Sequence, residues 1–198
     1  MREFILRARK GPTTPDFSLD DLSRSGHMEI VAHCVANALF FSQQIRPDVL
    51  IHVVLDGPGD PPKTVRFDSR TLGSLDGFDE RSICTAVRDA LGAGRKLSLG
   101  DEIEAADGIF VSKKGLERLV QEKATSSNLF CMDKKGEDIR DIDFPSDTTF
   151  VFTDHLSMPK KTGKYLLRLG ARPISVGPKT LFASQCIVLA HNELDRSQ

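Results

Sequence analysis

Tryptophan is absent, tyrosine occurs once, at Tyr165, and most of the 12 phenylalanines fall on apolar patterns, so side chains free to stack on single-stranded bases are scarce. Phe17, in a polar loop near the N-terminus, is the aromatic expected to reach a base. The four cysteines, Cys34, Cys84, Cys131 and Cys186, lie far apart with no CxxC pair, which excludes a zinc knuckle and argues against a disulfide framework. His27, His33, His52 and His191 show no metal-ligand spacing with them, so no metal is expected. No apolar run approaches the ~20 residues of a membrane span. MREFILRARK lacks the apolar centre of a signal peptide, so the chain reads as a soluble, cytoplasmic protein with reduced thiols. An excess of one charge is missing too, with 27 Lys and Arg against 28 Asp and Glu. A polyanionic partner would have to be met by a local basic patch.

What is present is an alternation of short apolar strands and amphipathic helices. EFILRARK (3–10) reads as a strand ending in a basic cluster, and GPTTPDFSLDDL as an ordered loop long enough to be functional. Apolar residues at three-four spacing predict a buried helix over 27–44, the strongest helix signal in the chain. DVLIHVVLDG (48–57) is a continuous apolar run, as a central strand requires. KTVRFD (63–68) alternates like an edge strand. An acidic first turn and a stopping glycine bound a helix over 79–94, and GLERLVQEKAT (115–125) is another. The polar stretch between them is ambiguous, with IFVS its best strand.

From residue 128 the order is regular: strand NLFCMD, turn KKGED, strand TTFVFTD, helix near KKTGKYLLRLG, strand RPISVG, helix SQCIVLAHNELD. Strands alternating with helices imply an α/β domain with a mostly parallel sheet flanked by helices under right-handed crossovers. At 198 residues a single domain, 1–198, is expected. Ligands bind such sheets beyond the carboxyl ends of the strands. The loops Asp133–Gly136, Thr153–Pro159 and Gly177–Ser184 all belong to that edge.

Gly177 followed by Pro178 makes a rigid turn whose backbone groups can face a ligand, and Met132, Val176, Leu181 and Ile187 could wall an apolar ring. The same residues also describe an ordinary strand-to-helix turn. Cys186 reads as a small buried hydrophobe ahead of a nucleophile. Asp154 and His155 sit at a strand end, where polar residues often serve a site, and Asp154 could bond a ligand, receive a proton or brace its loop. Arg7, Arg9, Lys10, Arg46, Lys160 and Lys161 are candidates for phosphate contacts. For Lys160 and Lys161 a solvated face is the competing reading.

MREFILRARKGPTTPDFSLDDL, DERS, LFCMDKKGEDIRD, FVFTDH and ISVGPKTLFASQCIVLAHNELD together resemble the TrmY-like family of pseudouridine N1-methyltransferases, of the SPOUT class, and more nearly its bacterial branch. The resemblance covers nearly the whole chain. It implies a C-terminal deep trefoil knot over about 128–198, a homodimer, S-adenosylmethionine as cofactor and an RNA substrate, with the pseudouridine of the tRNA T-loop as target. Carried over residue by residue, the cofactor would be held by Met132, Thr153, Asp154, Val176, Gly177, Pro178, Lys179, Thr180, Leu181 and Cys186. Archaeal members read GDH where this chain reads TDH at Thr153, which puts a close backbone approach in question.

The implied chemistry is an in-line attack by the free N1 of pseudouridine on a sulfonium methyl, with one proton to remove. Asp154 is the candidate to assist, and no covalent nucleophile is required. Two alternatives remain open: a SPOUT methyltransferase acting on another RNA nucleoside, and a catalytically silent RNA-binding homologue. The apolar residues of the last helix, Ile187, Leu189, Ala190 and Leu194, either tuck under a loop or meet a partner.

Overall fold

The computed structural model describes residues 1–42 and 44–197. In chain order the elements are β1 (Arg2–Ala8), α1 (Met28–Leu39), β2 (Phe40–Phe41), β3 (Gln44–Ile45), β4 (Val49–Leu55), β5 (Lys63–Asp68) and α2 (Glu80–Ala93). Then follow β6 (Glu102–Ala106), β7 (Ile109–Ser112), α3 (Leu116–Lys123), β8 (Asn128–Asp138), β9 (Thr148–Thr153), α4 (Lys160–Arg168), β10 (Arg172–Ser175) and α5 (Ala183–Arg196). Eight strands make one sheet in the order β10-β8-β9-β1-β4-β5-β7-β6. The five from β10 to β4 are parallel, and β5, β7 and β6 extend the sheet antiparallel.

Side-chain alternation sorts the core into two layers. Phe4, Leu6 and Ala8 of β1, with Phe150 and Phe152 of β9, meet α1, α2 and α5 on one face. Ile5 and Val151 meet Leu116, Leu119 and Val120 of α3 and Leu166 of α4 on the other. All of β4 is buried, as its unbroken apolar run requires. Asp79 starts α2 by accepting hydrogen bonds from the backbone N–H groups of Arg81 and Ser82. All four cysteines are free and buried.

Two expectations are corrected. β5 is not an edge strand, because the β6–β7 hairpin covers its far side and leaves it almost wholly buried. β6, EIEAA, takes the edge itself and is nearly all exposed, so it has no burial pattern for the sequence to display. The KKGED segment lies within β8 instead of ending it. Pro173 of β10 pairs with Cys131 and the next residue, Ile174, pairs with Glu137, so residues 132–136 bulge out of the ladder. Gly136 is needed there, since a Cβ would run into the backbone of Ile174.

The chain leaves β9 through α4, passes β8 to form the edge strand β10, and returns along the opposite face as α5. There α5 packs on α1 and touches the short 3-10 turn Ile139–Asp141 that joins β8 to β9. No helix among the described residues is long and apolar enough to cross a membrane.

Candidate active site

Because β8, β9 and β10 are parallel, their carboxyl ends open at one edge, and the segments that follow them enclose a cleft of about 420 Å³. That volume is in the range of small-molecule sites, ~300–1,000 Å³. Of the ten residues expected to hold a cofactor, nine line it: Met132, Thr153, Asp154, Val176, Gly177, Lys179, Thr180, Leu181 and Cys186. Pro178 is exposed beside the cleft and does not line it. His155, expected with Asp154 as a polar residue at the end of this strand, lines it too, and so do Lys134, Leu156, Ser157, Met158 and Ser175, which lie in or beside the loops singled out from sequence without being named individually.

Gly177 has a φ of 129°, a region other residues rarely occupy, and no atom lies within 4 Å of where its Cβ would be. Its backbone therefore faces open space in the cleft wall. Thr153 is the last paired residue of β9, in register with Arg7, and is not among the residues with positive φ. Threonine at this position imposes no backbone strain.

Asp154 is built into its loop. Its Oδ2 accepts from the backbone N–H of Arg9 at 3.1 Å, and its Oδ1 from that of Leu156 at 2.9 Å. Its own N–H donates to the carbonyl of Arg7, and its side chain is 2 % exposed. The carboxylate ties the end of β9 to the N-terminal loop. His155 continues the wall, and its ring lies against that of His27, with centroids 4.1 Å apart and the planes tilted. Burial pushes the Cys186 thiol up, so this cysteine contributes a small apolar surface and not a thiolate.

The six basic candidates divide. Arg9, Lys10, Lys160 and Lys161 are exposed and have no ion pair among the described residues. Arg9 and Lys10 follow the carboxyl end of β1, and Lys160 and Lys161 open α4 directly after the 153–159 loop. Arg7 is held within the fold: its Nε donates to Asp56 at 2.7 Å and its Nη1 to Thr162 at 2.9 Å. Arg46 lies apart from these five. It precedes β4 at the opposite edge of the sheet, paired with Asp195 at 3.0 Å and lying over the Phe41 ring. Phe17 is partly buried, packed against the core. Among the described residues no group of three or more His, Cys, Asp or Glu could hold a metal ion.

Met132, Val176 and Leu181 give the cleft apolar walls, Gly177 gives it exposed backbone, and Ser175, Thr180 and Lys179 add polar groups. That lining suits a small molecule with an apolar ring and polar substituents, and with the topology it defines the class: an α/β protein with a small-molecule cleft at the carboxyl edge of its sheet. A sequence model of the family described as "Putative SAM-dependent RNA methyltransferase" matches residues 1–198, and the chain belongs to that family. The "Putative pseudouridine methyltransferase" of Photobacterium profundum is 44% identical over 195 residues, covering 98% of each protein. That of Shewanella baltica strain OS155 is 43% identical over 198 residues, covering 100% of both. Among solved structures, Archaeoglobus fulgidus Nep1 bound to S-adenosylhomocysteine aligns with TM-score 0.62 over 99% of this chain and 97% of its own, at 14% identity. At that identity the likeness is one of fold.

Proposed function

We propose that this chain methylates N1 of a pseudouridine in RNA, with the T-loop of tRNA as the target and S-adenosylmethionine bound in the cleft. The observation that carries the reading is the convergence of three separate segments, 132–134, 153–158 and 175–186, on one apolar-walled cleft. The names of the relatives, over the full length of both chains, point to the base. When bound, the cofactor supplies an electrophilic methyl group. Met132, Val176 and Leu181 would hold its ring, while Gly177 and Thr180 offer backbone and hydroxyl groups. The chain's main task is alignment, which can supply several kcal/mol of such a barrier. Asp154, with both oxygens already accepting backbone N–H groups, serves to position its loop.

Arg9, Lys10, Lys160 and Lys161 are the phosphate-contact candidates that the geometry supports. Two lysines in the first turn of α4, with no acid there, run against the helix dipole, so local stability does not account for them. We further infer one domain over 1–198 whose tail, from about 128, is threaded as a knot. The return of α5 across the β8–β9 connection supports this. A homodimer is part of the same reading. The α5 residues Ile187, Ala190 and Leu194 are buried within the chain, which leaves Phe182 and Val188, 68% and 47% exposed, as the apolar surface near the cleft. Light scattering at micromolar concentration that gave a monomer would remove the dimer.

The reading as a whole is tested by incubating the protein with labelled S-adenosylmethionine and RNA from cells lacking the gene, then locating the methyl by nucleoside mass spectrometry. The expected product is N1-methylpseudouridine. A methyl on a ribose or on another base would select a different substrate.

A further inference from the structure

We propose that His155 is the group that takes the proton from the attacking nitrogen, and that His27 with Glu29 positions it; this rests on the pseudouridine reading above. Four side chains in the cleft wall could act as acceptors, and three of them already hold a loop or turn together or are buried. Asp154 has both oxygens engaged by backbone donors and is 2 % exposed. Asp133 accepts from the N–H of Lys135 at 2.8 Å and closes its own turn. Cys186 is held as a thiol by burial. His155 remains, its side chain 24 % exposed and with no hydrogen bond to either ring nitrogen among the described residues.

Two side chains flank its ring. Nδ1 lies 3.7 Å from Asp154 Oδ2, so that carboxylate borders the ring on one side. The other face is covered by His27, at 4.1 Å between centroids and tilted by 51°. His27 has φ 62° and ψ 44°, a left-handed conformation that a non-glycine residue adopts at a cost. Its Nδ1 is 3.0 Å from Glu29 Oε1, while Glu29 Oε2 is buried with no partner. A strained histidine backed by a half-satisfied carboxylate is more than α1 needs in order to begin. The charged groups facing His155 are thus Asp154 on its own loop and His27, with Glu29 behind it, from the start of α1. Asp133, Lys134 and Lys179 line the same cleft.

The step balances. N1 gives its proton to Nε2 of His155, the freed electron pair forms the N–CH3 bond, and the pair of the broken S–CH3 bond stays on sulfur. Positive charge passes from sulfonium to imidazolium, and the partly open ring releases the proton to solvent.

His155→Gln and His27→Asn test this, asparagine being a residue that tolerates the left-handed conformation. Assays use RNA from cells lacking the gene, with S-adenosylhomocysteine affinity by calorimetry and histidine ring signals by nitrogen-detected NMR. His155→Gln is expected to lose roughly 10²–10⁴-fold in kcat and the acid limb of the pH profile, while binding S-adenosylhomocysteine like the wild type. His27→Asn should lose less in kcat with KM for RNA unchanged. In the wild type with S-adenosylhomocysteine, RNA should shift the His155 ring signals. A His155→Gln protein with wild-type rate and pH profile, or ring signals indifferent to RNA, would overturn the proposal. A wild type that binds no S-adenosylhomocysteine would instead bring down the functional reading beneath it.

Discussion

Glu3 sits in the middle of the sheet with both carboxylate oxygens in use. His52 Nε2–H donates to Oε1 at 2.6 Å, Lys123 meets the same oxygen at 2.6 Å, and Thr149 donates to Oε2 at 3.0 Å. Burial alone would push this carboxyl up, but His52 and Lys123 outweigh it and hold the group at about 2, against 4.5 when unfolded. Its contribution, roughly 3 kcal/mol by linkage, is present above the unfolded value and lost as pH falls through the folded one. Burial lowers His52, with Glu3 opposing. Burial, then Arg46 and Arg2, lowers His191 to about 3. Below about pH 6.5 the unfolded chain therefore takes up protons on these histidines that the folded chain refuses. Urea unfolding should show stability level near pH 7, falling between about pH 6.5 and 3, and falling further toward pH 2 through Glu3. Glu3→Gln should be less stable at pH 7 and lack the lowest-pH loss. A wild-type curve independent of pH would contradict this. Little of it was legible in the sequence, because the partners of Glu3 lie 49, 120 and 146 positions away. Cys186 was legible, since a cysteine within an apolar helix pattern carries its own burial signal.

Helix α5 joins the two ends of the molecule. Its 14 residues span about 21 Å. Ala183 and Cys186 line the cleft, and Asp195 reaches Arg2 and Arg46 at the far edge. Midway, His191 donates from Nε2 to the carbonyl of Ala38 at 3.0 Å and lies 4.7 Å from the Phe4 ring. His191→Ala should cost about 2–4 kcal/mol, for a cavity and an unpaired carbonyl. Asp195→Ala, which removes a half-exposed carboxylate, should cost about 1 kcal/mol or less. Chemical denaturation of the two variants checks the order, and the reverse order would mean that the tail is held by its charges. Elements with a strong period, α1 and β4 above all, could be read directly. β6 could not, being a polar edge strand placed by its pairing with β7 and by the Arg66–Glu102 ion pair, and the bulge of β8 depends on a partner, β10, that follows it by 34 residues.

For the molecule as a whole, near-neutral charge conceals a division between the two edges of the sheet. The cleft edge carries Arg9, Lys10, Lys160 and Lys161, which have no ion pair among the described residues, while at the other edge Arg2 and Arg46 pair with Asp195. Replacing Lys160 and Lys161 together by alanine should weaken RNA binding and reduce its salt slope by about 0.7 for each phosphate of a single-stranded RNA that is no longer neutralised. Arg46→Ala should leave both unchanged. Fluorescence titrations at two or more salt concentrations separate the variants, and an equal effect from Arg46 would put the RNA on the wrong edge. The position of the cleft could be anticipated from strand order, whereas the sorting of arginines into braces and free cations required their neighbours.

The cleft at the carboxyl edge is the proposed seat of S-adenosylmethionine. Hydrogen exchange with and without S-adenosylhomocysteine tests it most directly. New protection is expected at 132–136, 153–158 and 175–186, with residues 44–48 and 144–147 at the opposite edge unchanged. Protection at that opposite edge, or none at all at saturating ligand, would contradict the account.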